Sequence, residues 1–227
     1  MKFEVRNSKS EANPNKNDSG LTLVELMVVI IILSMAALII LPGLTNQTDR
    51  TSPSRINCVN NLKQIGVAFQ TWASDHGGNF PMQVSVTNGG IMEVAAKAFL
   101  CFQGLSNELS TPKILVCPAE EGSRFATNFQ GDLSNSKISY FVGIDATKDS
   151  PQMFLAGDRN ITNVSGVKEG VLSLTTNEPA GWTHGLHERQ GNVGLADGSV
   201  QQFSSSKLRE ALRYSGDSQN RLAMPQP

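Results

Sequence analysis

The chain is short of the residue types that announce chemistry. Histidine is scarce at three residues, and His184 and His187 stand among Pro179, Gly181 and Gly185. That setting reads as a loop rather than a helix presenting ligands, so the pair alone is weak grounds for zinc. Cysteine is equally scarce: Cys58, Cys101 and Cys117 are the full set, and none falls in a Cys-x-x-Cys arrangement. A zinc ribbon or thioredoxin-like pair is thereby disfavoured, and an odd number cannot pair within one molecule. In an exported domain one bridge can form, with Cys58–Cys117 the favoured pairing; in the alternative all three are small buried hydrophobes. There is no Gly-x-Ser-x-Gly, no phosphate loop and no EF-hand spacing. Nor is there an excess of basic charge: 19 Lys and Arg against 20 Asp and Glu give a net charge of -1, with the cations dispersed. Nucleic acid is therefore not an expected partner. Aromatics make up only 6% of the chain, which points to a modest, turn-rich core.

What the sequence does have is one long apolar run, Leu21 to Leu41. At 1.5 Å per residue it spans about 30 Å, enough for the hydrocarbon core of a bilayer. Glu25 sits inside it. A carboxylate there costs about 2.5–3.5 kcal/mol on insertion scales and calls for a functional partner. An ordinary secretory signal has a shorter apolar region followed by a small-residue cleavage site. Here the best cut lies before the run, at Gly20, whose missing Cβ suits a narrow protease subsite. Lys2, Arg6, Lys9 and Lys16 precede the run, while Arg50 and Arg55 follow it. The positive-inside rule then puts the N-terminus in the cytoplasm and the bulk of the chain outside. Pro42-Gly43 ends the run, as a kink or as a helix stop at the interface.

Beyond it, Ile56, Val59, Leu62, Ile65, Phe69 and Trp72 recur at three- and four-residue steps, predicting an amphipathic helix closed by Gly77-Gly78. Ile91–Leu105 reads as another helix, and Ser204–Tyr214 as a short one with a serine cap. Strand candidates are Lys113–Val116, Ile138–Val142, Met153–Ala156 and Val171–Leu174. Asn192–Ala196 and Ser199–Phe203 flank Asp197-Gly198, which predicts a hairpin with a two-residue type I′ turn. Strands beside a long helix argue for an α+β fold with a small antiparallel sheet. The expected organisation is a leader over 1–20, a transmembrane and assembly helix over 21–41 and its amphipathic continuation over 42–76. An α+β domain over 77–215 and a loose polar tail over 216–227 complete it.

The word Gly20-Leu-Thr-Leu-Val-Glu25 resembles the type IV prepilin signal, in which Gly precedes a hydrophobic N-terminus with Glu at its fifth position. The resemblance implies cleavage after Gly20 by a prepilin peptidase and methylation of the new amine on Leu21, where the family usually has Phe. It implies that Glu25 neutralises the amine of a neighbouring subunit, and that Pro42 marks the bend common in pilin-like helices. Further words, Asn57-Cys58, Asn61–Gly66, Phe80-Pro81 and Cys117-Pro118, resemble a pilin-like subgroup with a processing-associated signature: His, nine residues, Asp-Gly. Here that is His187, Asp197 and Gly198.

A structural, non-enzymatic subunit of a type II secretion or type IV pilus-like system is the expectation that follows. It would be a single-pass protein of the bacterial inner membrane with a periplasmic domain. Its partners would be prepilin peptidase, other pilin-like subunits and an inner-membrane assembly platform. No cofactor is expected except calcium, which some pilin-like secretion subunits bind. Asp145, Asp149, Asp158 and Asp197 are candidate oxygen donors here, with solvated loop carboxylates as the alternative. The rival expectation is a signal-anchored periplasmic domain that binds a ligand through Trp72, Trp182 and the loop near His184. An enzymatic reading would need His184, His187, Asp158 and Asp197 in one cluster.

Overall fold

A computed structural model of the chain describes residues 22–45, 51–120, 122, 124–176 and 178–226, with side chains described up to Ala36 and again from Ser54. The chain divides into two compact units between Thr48 and Asp49. The first holds α1, Leu23–Thr45. Its described apolar side chains, Leu23 to Met35, are exposed, Leu23 at 75%. Among the described residues no helix is long and apolar enough to cross a membrane. The side chains described in α1 end at Ala36, short of the end of the apolar run. The backbone stays helical through Pro42, whose side chain lies outside the described set, as do Gly20, Leu21 and the leader.

The second unit is α+β. Its helix α2, Thr51–Asp75, buries Cys58, Leu62, Ile65, Ala68, Phe69, Trp72 and Ala73. The stripe follows the sequence expectation from Leu62 onward. At its start Cys58 is buried instead, while Ile56 is 60% exposed. The helix ends as its glycines suggest. Gly77 and Gly78 take φ of +66° and +89°, and the Gly78 amide donates to the carbonyl of Ala73 at 2.8 Å.

Six strands form one antiparallel sheet: β1 Tyr140–Gly143, β2 Phe154–Asp158, β4 Val171–Ser173, β6 Gln190–Leu195, β7 Val200–Ser204 and β8 Arg221–Ala223. Their order is β4-β8-β1-β2-β6-β7. A separate pair joins β3, Ile161–Thr162, to β5, Gly181–Trp182. The large sheet is covered on both faces, so β1 and β2 are buried throughout instead of alternating. Tyr140 and Val142 join α2 and α3 (Ala98–Gly104) in one core. Phe141, Val193 and Leu195 join Trp182 and helix α4 (Ser205–Tyr214) in the other. On that second face a Cβ at Gly191 would fall inside the Trp182 ring.

Four sequence expectations are corrected. The 216–227 tail is not loose throughout, because Arg221–Ala223 is β8, inserted between β4 and β1 with Val142 and Val171 both opposite Ala223. Lys113–Val116 is not a strand: Pro112–Leu115 is a 3-10 turn with Pro in its first turn and the Thr111 hydroxyl accepting from the Lys113 amide. Ile91–Leu105 breaks into a 3-10 turn, Met92–Val94, and α3, because Lys97 between them is extended. The hairpin forms, but its turn is not type I′. The Asp197 φ is not positive; Gly198 alone takes +86°. The Gly198 amide donates to the Leu195 carbonyl, and the Leu195 amide to the Ser199 carbonyl. This is a three-residue loop with a bulge at glycine, as a single left-handed residue requires.

Candidate functional site

Two places carry the candidate residues. In the first unit, Thr22 starts α1 and its hydroxyl accepts from the Glu25 amide at 3.3 Å. The Glu25 carboxylate lies in the first turn, where the helix dipole favours a negative charge. It is exposed, and among the described residues it has no hydrogen-bonding or ionic partner. An acid projecting from an otherwise apolar helix is equipped to take a cation from another molecule.

The second place lies where α2 meets the His187 end of β6. Cys58 and Cys117 are joined by a disulfide. His187 lies against it, Nε2 to Cys117 Sγ 3.4 Å, and also 3.4 Å from an oxygen of Asp158. Both side chains are fully buried. Asp158 is fixed by the Asn192 backbone and side-chain amides, which donate to the same oxygen at 2.7 and 2.8 Å. Its other oxygen, the second ring nitrogen of His187 and the amide oxygen of Asn192 are buried without a hydrogen-bond partner. Burial pushes the Asp158 carboxyl up to about 7 against the pull of the Asn192 bonds and the Arg55 charge. Burial, with Arg55 adding to it, pushes His187 down to about 4. His187 is thus neutral at pH 7, and its contact with Asp158 is not an ion pair. The Tyr140 hydroxyl, which accepts from Asn61, is raised by burial and by the Asp158 charge.

The backbone around His187 is held under strain. His187, Glu188 and Arg189 have φ of 51°, 52° and 62°, a left-handed run without glycine, at about 1–2 kcal/mol per residue. Two side chains hold it. Arg55 donates to the His187 carbonyl at 2.9 Å and to Gln190 Oε1 at 3.1 Å. The Asn160 side-chain amide donates to the carbonyls of Thr183, Leu186 and Gln190. Replacing Asn160 by Ala leaves these acceptors without that donor and should cost about 1–3 kcal/mol. Asn160→Asp should cost more, because a carboxylate would face three carbonyls. Chemical denaturation of the two variants measures this; an aspartate variant as stable as wild type would mean that this amide does not hold the loop.

The signature residues occupy opposite ends of β6. At the far end Asp197 is exposed and accepts from the Ser199 amide, while Gln70 on α2 donates to the Ala196 carbonyl. From Gln190 to Ala196 a strand advances about 20 Å. From Arg55 to Gln70 a helix advances about 22 Å. Each end of the strand is therefore bonded to the matching point of α2.

The four residues of the enzymatic reading do not form one cluster: His187 and Asp158 meet, whereas His184 and Asp197 are exposed. The four calcium candidates do not assemble either. Asp145 is engaged by Arg221, Asp158 is in the buried node, and Asp197 is in the hairpin loop. Among the described residues the one grouping of three or more metal-ligand side chains is Cys58, Cys117, Asp158 and His187, in which the two sulfurs are tied up in the disulfide. Arg55, Asn160 and Asn192, which build that node, were not singled out by the sequence. Each is a lone polar residue with no motif spacing.

Compared with known proteins, residues 15–41 match a family model described as the prokaryotic N-terminal methylation motif. No curated protein and no solved structure matched the chain.

Proposed function

We propose that this chain is a pilin-like structural subunit, a pseudopilin of a type II secretion or type IV pilus-like system. In this reading prepilin peptidase cuts after Gly20 and Leu21 becomes the methylated N-terminus. The mature subunit stays anchored in the inner membrane until Glu25 pairs with the terminal amine of a neighbour. The observation that carries the reading is the N-terminal methylation motif over 15–41, with Glu25, the one carboxylate of α1, exposed on an apolar helix. The α+β domain, with α2 against an antiparallel sheet, agrees with it. In such an assembly the apolar surface supplies packing, and the buried charge pair sets register between subunits.

The ligand-binding alternative is weakened by its own contacts. Trp72 and Trp182 are 4% and 5% exposed and serve as core, leaving only the loop at His184 at the surface among the contacts it needs. Mass spectrometry of the N-terminus of protein from native membranes tests the proposal. A chain beginning at Leu21, with or without a methyl group, is expected. An intact Met1 terminus would hand the chain to the anchored-domain reading.

A further inference from the structure

The buried node has more donor chemistry than a disulfide needs. The Sγ atoms of Cys58 and Cys117, a carboxylate oxygen of Asp158 and a ring nitrogen of His187 all lie within 4.8 Å of one another, and all four residues are buried. A disulfide beside neutral apolar groups would serve the core as well. Instead an imidazole and an acid lie against it, with His187 Nε2 3.4 Å from both Cys117 Sγ and Asp158 Oδ2. Buried groups able to ligate a metal, set beside two sulfurs, call for a reason beyond packing.

We propose that reducing the Cys58–Cys117 bridge converts this node into a closed zinc site with two thiolates, one imidazole and one carboxylate as ligands, so that disulfide and metal are alternative staples between the same two segments. The reaction balances with a dithiol as reductant. The dithiol passes two electrons and two protons to the bridge and becomes a disulfide itself, leaving two thiols. Zn2+ then binds both as thiolates and releases two protons to solvent. His187 and Asp158 supply the remaining ligands.

Geometry and chemistry agree with this. Tetrahedral zinc with Zn–S near 2.3 Å needs sulfurs about 3.7 Å apart. The Cα atoms stand 5.2 Å apart, so the sulfurs can separate by side-chain rotation. His187 Nε2 already points at Cys117 Sγ and at Asp158, both at 3.4 Å. Asn192 holds Asp158 Oδ2, the oxygen that faces His187, through two donors, the orienting role that neighbours of metal ligands usually play. Two thiolates and a carboxylate around Zn2+ leave one net negative charge, and the Arg55 guanidinium bonded to the His187 carbonyl offsets it. Two sulfur donors select zinc over calcium or magnesium. The inference is independent of how the N-terminus is processed.

Cobalt titration of the full-length protein in detergent tests the site. The Cys101→Ala background leaves only the two relevant thiols. Protein refolded under reductant should bind one Co2+ per chain, giving tetrahedral visible bands and thiolate charge-transfer absorption that Zn2+ abolishes. Zn2+ should raise the melting temperature of the reduced protein, and the oxidised protein should bind nothing. Asp158→Asn and His187→Ala should each weaken binding by about 100-fold or more, a ligand being worth at least what its orienting neighbours are. Should a variant fail to fold, the isosteric Asp158→Asn read against its own circular dichroism decides the matter. The proposal is overturned if reduced protein neither binds Co2+ nor is refolded by Zn2+. It is equally overturned if both variants bind as wild type does.

Discussion

On the proposed pilin-like reading, Glu25→Leu should abolish assembly while leaving the protein in the membrane. The two effects have opposite signs because the carboxylate costs energy in a bilayer and gains it only beside a cation. Removing it relieves about 2.5–3.5 kcal/mol of insertion penalty, so anchoring should be unchanged or stronger. It also removes the one charged group of α1, Leu23–Thr45. The neighbour's terminal amine would then be buried unpaired, which for a desolvated pair costs about 3–5 kcal/mol per contact. Repeated at every subunit contact, that loss is large enough to prevent growth of a polymer rather than to weaken it. Glu25→Asp, with a shorter reach, should fall between the two. Membrane fractionation measures the first effect, and sheared-filament yield or secretion measures the second. Normal assembly by the Leu variant would remove the charge-pairing step and, with it, the main argument for a pilin-like subunit.

How far the fold could be read in advance varied with how local its causes were. The α2 stripe from Leu62 to Trp72 was legible because helical periodicity over several turns is a strong signal. Its start was misread: Cys58, one turn before Leu62, lies on the buried face, whereas Ile56, six residues before it, falls outside. The hairpin was legible from Asp197-Gly198, but not its turn type, because Asp-Gly serves both a two-residue turn and a bulged three-residue loop. Strand β8 was hidden because Arg221-Leu-Ala is three residues long after a polar stretch. Its burial comes from the slot between β4 and β1, which no local pattern encodes. The Cys–His–Asp node was half legible. The Cys58–Cys117 pairing was favoured, and His187 and Asp158 were named apart from it, whereas the meeting of all four depends on α2, the segment at Cys117 and two strands converging.

Loss of the disulfide should be the largest single stability defect in the second unit. The bridge closes a separation of 59 residues. In the chain-entropy account a loop of that length is worth about 4 kcal/mol, within a usual range of about 2–5. Its position raises the expected consequence. Among the described residues, the stretch between α2 and β1 has no strand and, besides the short helix α3, only 3-10 turns. Cys117 is the point at which that irregular stretch is fastened to α2. The double variant Cys58→Ser/Cys117→Ser should therefore melt on the order of 10 °C lower, at about 2–4 °C per kcal/mol for a domain of this size. Proteolysis should begin between His76 and Ile138, because loosely held irregular segments open first. Cys101 is the internal control. It is buried and unpaired, its thiol is pushed up to about 12 by burial, and it donates only weakly to the Ala95 carbonyl. Cys101→Ala should cost clearly less and leave the cleavage pattern unchanged. A double-serine variant as stable as wild type, with cleavage elsewhere, would show that packing of Leu115, Leu62 and Phe102 holds this segment without the bridge.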